Sequence, residues 1–128
     1  MKTPISGRIT SPFGERIHPI TKEKQQHNGV DISAPIGTPI IAPESGRIKQ
    51  IYNHAIGGNT LMMVSDRGTR YGFCHLSKIA EGIVEGSIVA EGDVICYTGN
   101  TGRSTGPHLH FSVQKNNVWI DPETMFKF

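Results

Sequence analysis

The chain has 128 residues, 36% of them hydrophobic and 19% charged, with a formal net charge of +2. That is one domain's length, enough to bury about two-thirds of the unfolded surface, and too apolar for a disordered chain. The small, scattered positive charge excludes a nucleic-acid module, and no apolar run approaches the roughly 18–20 residues that span a bilayer, so membrane insertion is not expected.

Fifteen glycines and eight prolines imply many turns and hence a β-rich fold. The start, Met1-Lys2-Thr3-Pro4-Ile5-Ser6-Gly7, lacks the apolar core of a signal peptide, so export by another route or prior removal of a signal is expected. Cys74 and Cys96 stand without a CxxC or other metal-type spacing, and two buried thiols are expected rather than ligands.

Residues 5–26 read as a loop-rich opening that ends in the polar run Thr21 to Gln26. His27-Asn28-Gly29-Val30-Asp31 follows. In a straight strand His27 and Asp31 would lie about 13 Å apart, too far to share an ion. Asn28-Gly29 is a turn signal, so a bend or bulge at Gly29 that folds Asp31 back towards His27 is the economical arrangement. Short apolar runs between Gly and Pro across residues 34–48 predict strands joined by tight turns. Gly37-x-x-Ile40-Ile41-Ala42 is weakly echoed by Gly86-Ser87-Ile88-Val89-Ala90.

Strands are predicted over 48–52, 60–65, 69–76, 94–98 and 118–120, with a hairpin loop over 53–59 and a turn at Asp66-Arg67-Gly68. Strict alternation in 69–76 puts Tyr71, Phe73 and His75 on one face and Cys74 on the other, packing away from any cleft with Leu76. Ser77–Glu81 is read as one helical turn. His18 and His54 read as surface loop residues, Trp119 as core or rim packing, and Glu81, Glu85 and Glu91 as a solvated edge.

Pro107-His108-Leu109-His110-Phe111-Ser112-Val113-Gln114 alternates without a break, the pattern of a strand with one wet and one buried face. Pro107 suits its start. His108 and His110 therefore share the wet face, about 7 Å apart. Alone, such a pair is better explained by two surface histidines. Together with His27, Asp31 and His75 it makes a constellation of four imidazoles and one carboxylate. Two histidines and a carboxylate with an open position suit a catalytic zinc, which lowers the pKa of a bound water towards 7. No HExxH helix is present, and the remaining imidazoles can serve as general acid or base. A non-haem iron site uses similar ligands; the two extra histidines favour zinc.

The chain resembles the lysostaphin-type (LytM-type) zinc endopeptidases, which cut peptide bonds in bacterial peptidoglycan. The resemblance rests on Ser11-Pro12-Phe13-Gly14-x-Arg16, His27-x-Gly29-Val30-Asp31, Pro35-x-Gly37-Thr38-Pro39-x-x-Ala42, His75-Leu76-Ser77 and Gly99-x-Thr101-Gly102-Arg103-Ser104-Thr105-Gly106-Pro107-His108-Leu109-His110-Phe111. It covers roughly residues 7–124. It implies a single metalloendopeptidase domain over 1–128, all-β and mostly antiparallel with little helix, whose sheet forms a groove walled by loops near 13–26, 53–59, 77–82 and 99–106.

It implies further that His27, Asp31 and His110 hold one zinc ion and that His75 and His108 are the catalytic pair. Arg16, Asn59 and Phe73 are candidates for lining the substrate groove. Relatives often carry a tyrosine shortly before the first ligand; Thr21 to Gln26 offers none. The expected partner is a peptidoglycan peptide, the expected state a monomer, and the expected place of action the periplasm or extracellular wall. A phage lysin or virion-carried wall enzyme fits that setting, as does the catalytic domain of a larger secreted protein. A non-catalytic wall-binding or activator module of the same fold is the alternative; it calls for a degenerate site, whereas all five positions are intact.

Overall fold

The computed structural model describes residues 1–17, 22, 24–102 and 106–128, leaving out the side chains of 15–17, 24 and 25. The described residues form twelve strands: β1 (Arg8–Ser11), β2 (Gly14–Ile17), β3 (Lys24–His27), β4 (Gly29–Ser33), β5 (Pro39–Ile41), β6 (Gly46–His54), β7 (Gly58–Ser65), β8 (Arg70–Ile79), β9 (Ile88–Val89), β10 (Val94–Thr98), β11 (His108–Lys115) and β12 (Val118–Ile120). One 3-10 turn, Pro122–Thr124, follows, with Asp121 as its cap. The all-β, antiparallel expectation holds. The predicted helical turn at Ser77–Glu81 is absent: β8 runs on to Ile79, because Leu76, Lys78 and Ile79 pair with Thr98, Tyr97 and Cys96 of β10.

The main sheet runs β1-β4-β11-β8-β7-β6-β9, with β10 bridging β8 and β5, and β12 extending β11; β2 and β3 form a separate ribbon. The echoed short strands do not repeat a hairpin unit, since β5 pairs with β10 and β9 with β6.

Alternation decides which side chains face the core. Leu109, Phe111 and Val113 of β11 are fully buried, as are Val30 and Ile32 of β4, Leu61 and Met63 of β7, and Tyr71 and Phe73 of β8. Phe111 lies at the centre of this layer, its ring centroid 5.8 Å from Tyr71, 5.3 Å from Phe73 and 5.7 Å from Phe126. Burying such rings supplies most of the driving force that holds the sheet against its loops. Tyr71 carries a hydroxyl into this core and donates it to Glu44, whose carboxylate also binds Arg67 at 2.8 Å. Burial first, then the adjoining Glu44 carboxylate, pushes the Tyr71 phenol far above its ordinary value.

Two irregularities shape the opposite face. In β6 the register with β7 slips between Ile48 and Gln50, so Lys49 is a bulge residue. The Ile51 amide near that slip donates to the Glu85 carboxylate at 2.9 Å, giving Glu85 a structural partner rather than the purely solvated place expected of it. In β8 the register with β7 jumps from Leu61↔Phe73 to Asn59↔Leu76, which leaves one surplus residue among Cys74 and His75. His75 absorbs it with a left-handed φ of 64°. For a non-glycine residue that conformation is costly and is tolerated where the surroundings over-determine it.

Candidate active site

The face of the sheet away from the core carries the polar side chains of β11. Directly paired residues share a face, so Asp31 of β4, His110 of β11 and Cys74 of β8 lie in one row across three strands. His108 stands two residues up β11 on the same face. His27 reaches the row from the end of the β2–β3 ribbon, and Asn28 makes the break between β3 and β4. The bend expected at Asn28-Gly29 is therefore present, and it returns Asp31 to within 3.4 Å of His27. Glycine is required at position 29, because a Cβ there would meet the Phe111 carbonyl oxygen at 2.4 Å and the His110 ring at 3.1 Å. Any side chain would push β4 off β11 just where the two acid–imidazole partners must meet.

Three donor atoms converge. His110 Nδ1 lies 2.9 Å from Asp31 Oδ1 and 3.2 Å from His27 Nε2. His27, Asp31 and His110 form a group whose ligand atoms all fall within 4.8 Å of one another, a span one ion can bridge. His27 Nδ1–H donates to the Pro12 carbonyl at 2.9 Å, which leaves Nε2 as the nitrogen with a lone pair, turned towards the group. Such an outer hydrogen bond is how metal-binding imidazoles are usually oriented. Burial works against an ionised Asp31, but the hydrogen bonds and charges of His110 and His27 outweigh it and hold the carboxyl well below its ordinary value. Asp31 is thus a carboxylate ready to ligate.

His75 and His108 stand beside this trio with ring centroids 4.6 Å apart. His75 Nδ1–H donates to the Thr101 carbonyl at 2.7 Å, and His108 Nδ1–H to the Gly106 carbonyl at 2.8 Å. Each ring consequently keeps its lone pair on Nε2. His108 Nε2 is 3.8 Å from Asp31 Oδ1. Burial lowers the His75 pKa below its usual 6.5, despite the opposing hydrogen bond to Thr101, so the ring is neutral at neutral pH.

The bulge corrects one expectation. Strict alternation put Cys74 away from the cleft; instead Cys74 and His75 both project to the polar side, with the Cys74 thiol bonded to Thr60 and opposite His110. Burial raises the Cys74 pKa, with the Asp31 charge adding to it, so the thiol is not a nucleophile. Both cysteines are free.

Of the groove candidates, Phe73 is fully buried against Phe111 and faces the core, not the groove. Asn59 is engaged in structure: its side-chain amide donates to the Leu76 carbonyl at 3.1 Å and its oxygen accepts from Asn53 at 2.8 Å. The side chain of Arg16 lies outside the described residues, as do His18, Thr21 and residues 103–105. His54 caps its own turn, accepting from the Ile56 amide at 3.1 Å.

Sequence reasoning missed Thr101. Its hydroxyl donates to the Leu76 carbonyl at 2.8 Å and accepts from the Asn59 amide, while its carbonyl holds His75. The tight pair Gly58 and Gly102, both at positive φ, was the available signal; a Cβ on Gly58 would strike Thr101 at 2.5 Å.

A sheet-floored groove with a His-Asp-His donor trio and two further imidazoles beside it defines a candidate mononuclear metallohydrolase centre. The chain belongs to peptidase family M23, matched over residues 25–122. It is 40% identical over 107 residues to the peptidoglycan DD-endopeptidase ShyA of Vibrio cholerae, covering 83% of this chain and 24% of that protein. Its fold superposes on a zinc-containing peptidase from Vibrio cholerae with a TM-score of 0.85 at 36% identity, covering 93% of this chain and 37% of the other. With the catalytic domain of lysostaphin from Staphylococcus simulans the TM-score is 0.81 at 32% identity, over 92% and 90% of the two chains. The chain spans about a quarter of the length of the curated relatives it matches.

Proposed function

We propose that residues 1–128 act as one catalytic unit, a zinc-dependent endopeptidase that hydrolyses peptide bonds of bacterial peptidoglycan in the periplasm or outer wall. The observation that carries this reading is the convergence of His27 Nε2, Asp31 Oδ1 and His110 Nδ1 with two more imidazoles beside them. Two nitrogens and one carboxylate oxygen suit zinc, and the names of ShyA and of the zinc-containing neighbour support substrate class and metal.

A zinc ion held there would act as a Lewis acid and make water nucleophilic at neutral pH. The protein's own part is proton management and positioning. His75, kept neutral by burial and aimed by Thr101, accepts a proton from the attacking water on Nε2. His108, whose Nδ1–H is held by the Gly106 carbonyl, turns Nε2 to the developing oxyanion and stabilises it once that nitrogen carries a proton, as an imidazolium. When the carbon–nitrogen bond breaks, the leaving amine takes its proton from the His75–His108 pair.

Incubation of the zinc-loaded protein with sacculi of two wall chemotypes, followed by mass spectrometry of released muropeptides, tests this. The expected product pairs carry one new amine and one new carboxyl at a peptide bond, and a chelator abolishes them. Sacculi that stay intact with zinc supplied would refute it.

A further inference from the structure

The polar face of the sheet continues beyond the metal trio. Four residues down β11 from His110 comes Gln114, paired with Arg70 of β8; Arg70 pairs with Val64 of β7, and Val64 with Arg47 of β6. Gln114 also pairs with Trp119 of β12, which is 42% exposed. No register shift interrupts β11 and β8 between His110↔Cys74 and Gln114↔Arg70, so both rows project from the same face. At 3.3–3.4 Å per residue they lie about 13 Å apart.

At that second row the surface forms a cavity of about 340 Å³ lined by Arg47, Lys49, Val64, Asp66, Arg70 and Ile88, together with Gly46 and Ser65. Lys49, two residues on from Arg47, adds a second cation of β6 to the same exposed face. Among the described residues none of the three cations makes an ion pair, whereas Arg67, close by in sequence, is held by Glu44. Asp66 lines the cavity without engaging them, which leaves two net positive charges in a concavity. Like charges gathered in a cleft cost stability and focus the field on an incoming anion. Arginine forks fit carboxylates in particular.

We propose that the Arg47–Lys49–Arg70 pocket is a subsite for a carboxylate of the same peptide substrate, about 13 Å along the strands and two to three strands across from the trio, roughly 16–20 Å in all. This rests on the peptidase reading above. That spacing equals about five to six residues of extended peptide, so a chain crossing the sheet obliquely from the trio over β8 and β7 brings a side-chain or terminal carboxylate into the cavity. Val64 and Ile88 give its carbon chain an apolar wall.

The test compares peptide substrates carrying either a carboxylate or the corresponding carboxamide about five to six residues from the cleaved bond. For the zinc-loaded wild type the carboxylate form is expected to show a KM about tenfold lower, the advantage shrinking with added salt. The double variant Arg47→Gln/Arg70→Gln should lose that advantage, and Lys49→Glu, a milder surface change that also brings the pocket to zero net charge, should lose it too while zinc content stays stoichiometric. Backbone amide NMR of the zinc-free protein, in which no turnover occurs, should show the carboxylate peptide shifting residues 47, 49 and 70. Shifts there with no hydrolysis by the wild type would sink the peptidase reading and leave the pocket standing. Hydrolysis with equal KM for the two substrates in wild type and variants would overturn the pocket.

Discussion

Replacing His75 by alanine and, separately, by glycine isolates what the bulge in β8 is for. The His75 ring is not among the three converging donors, so both variants should bind one zinc per chain with wild-type affinity. What they lose is a proton acceptor held at 2.7 Å by Thr101, and general acid–base catalysis contributes about 10²–10⁴ in rate. Turnover of muropeptides should fall by that factor, equivalent to about 3–5 kcal/mol of transition-state stabilisation. Stability should separate the two variants. The backbone stands at φ 64°, where an L-residue is disfavoured by about 1–2 kcal/mol and glycine is not. Both variants lose the same ring contacts and the same hydrogen bond, so the glycine form should be more stable by about 1 kcal/mol in urea titrations. Full hydrolysis by either variant would refute the assignment of His75. Loss of zinc alongside activity would place the ring in the metal trio, and equal stabilities would show that the left-handed backbone stores no strain.

Tyr71→Phe should destabilise the fold by about 1–3 kcal/mol in urea melts, because Glu44 keeps its buried place but loses the phenol that satisfies it. Asn59→Ala removes the amide that fixes the Leu76 carbonyl next to His75; kcat should fall about fivefold, in line with about 1 kcal/mol for one hydrogen bond, with zinc content unchanged by elemental analysis. His75 is held below its usual 6.5 in the folded state, so the unfolded chain binds more protons between the two values. Its contribution is complete above 6.5 and is lost as pH falls towards the folded value; melts of the zinc-loaded protein should weaken over that window, and His75→Ala should flatten the loss.

Much of this site was legible because period-two patterning carries direct geometric information. Alternation alone places His108 and His110 on one face of β11 and Leu109, Phe111 and Val113 on the other, where all three are fully buried. The turn at Asn28-Gly29 was equally readable, since no straight strand brings residues four apart onto one ion. The same rule failed in β8. Alternation has no means of announcing a surplus residue: it keeps His75 on the side of Tyr71 and Phe73, whereas the bulge turns His75 to the side that Cys74 occupies by ordinary parity. Nor does β8 stop where propensity suggested. Its last residues are held by β10, a partner distant in sequence, and that pairing overrides the local turn signal after Leu76. The missed role of Thr101 has a like cause, since it acts through backbone and hydroxyl contacts that only the packing of residues 55–58 against 99–102 creates.

The bulge also explains how His75 can stand beside His108 while the core stays complete. On a regular strand, His75 would fall on the same side as Phe73 and Tyr71, and an imidazole would be driven into the aromatic layer around Phe111. Inserting one residue lets Leu76 point inward, fully buried, while His75 swings to the groove at 4.6 Å from His108. The cost is a strained backbone at one position. Around it the Gly57 carbonyl takes the His75 amide at 2.7 Å, Thr101 takes the ring, and Asn59 and Thr101 both hold the following carbonyl of Leu76. Four hydrogen bonds from two loops thus over-determine a single residue, which is the condition under which such strain persists. The tight glycine contacts between those loops allow this: a Cβ on Gly102 would meet the Gly58 amide nitrogen at 2.3 Å, so the loops close on His75 only if both positions stay bare.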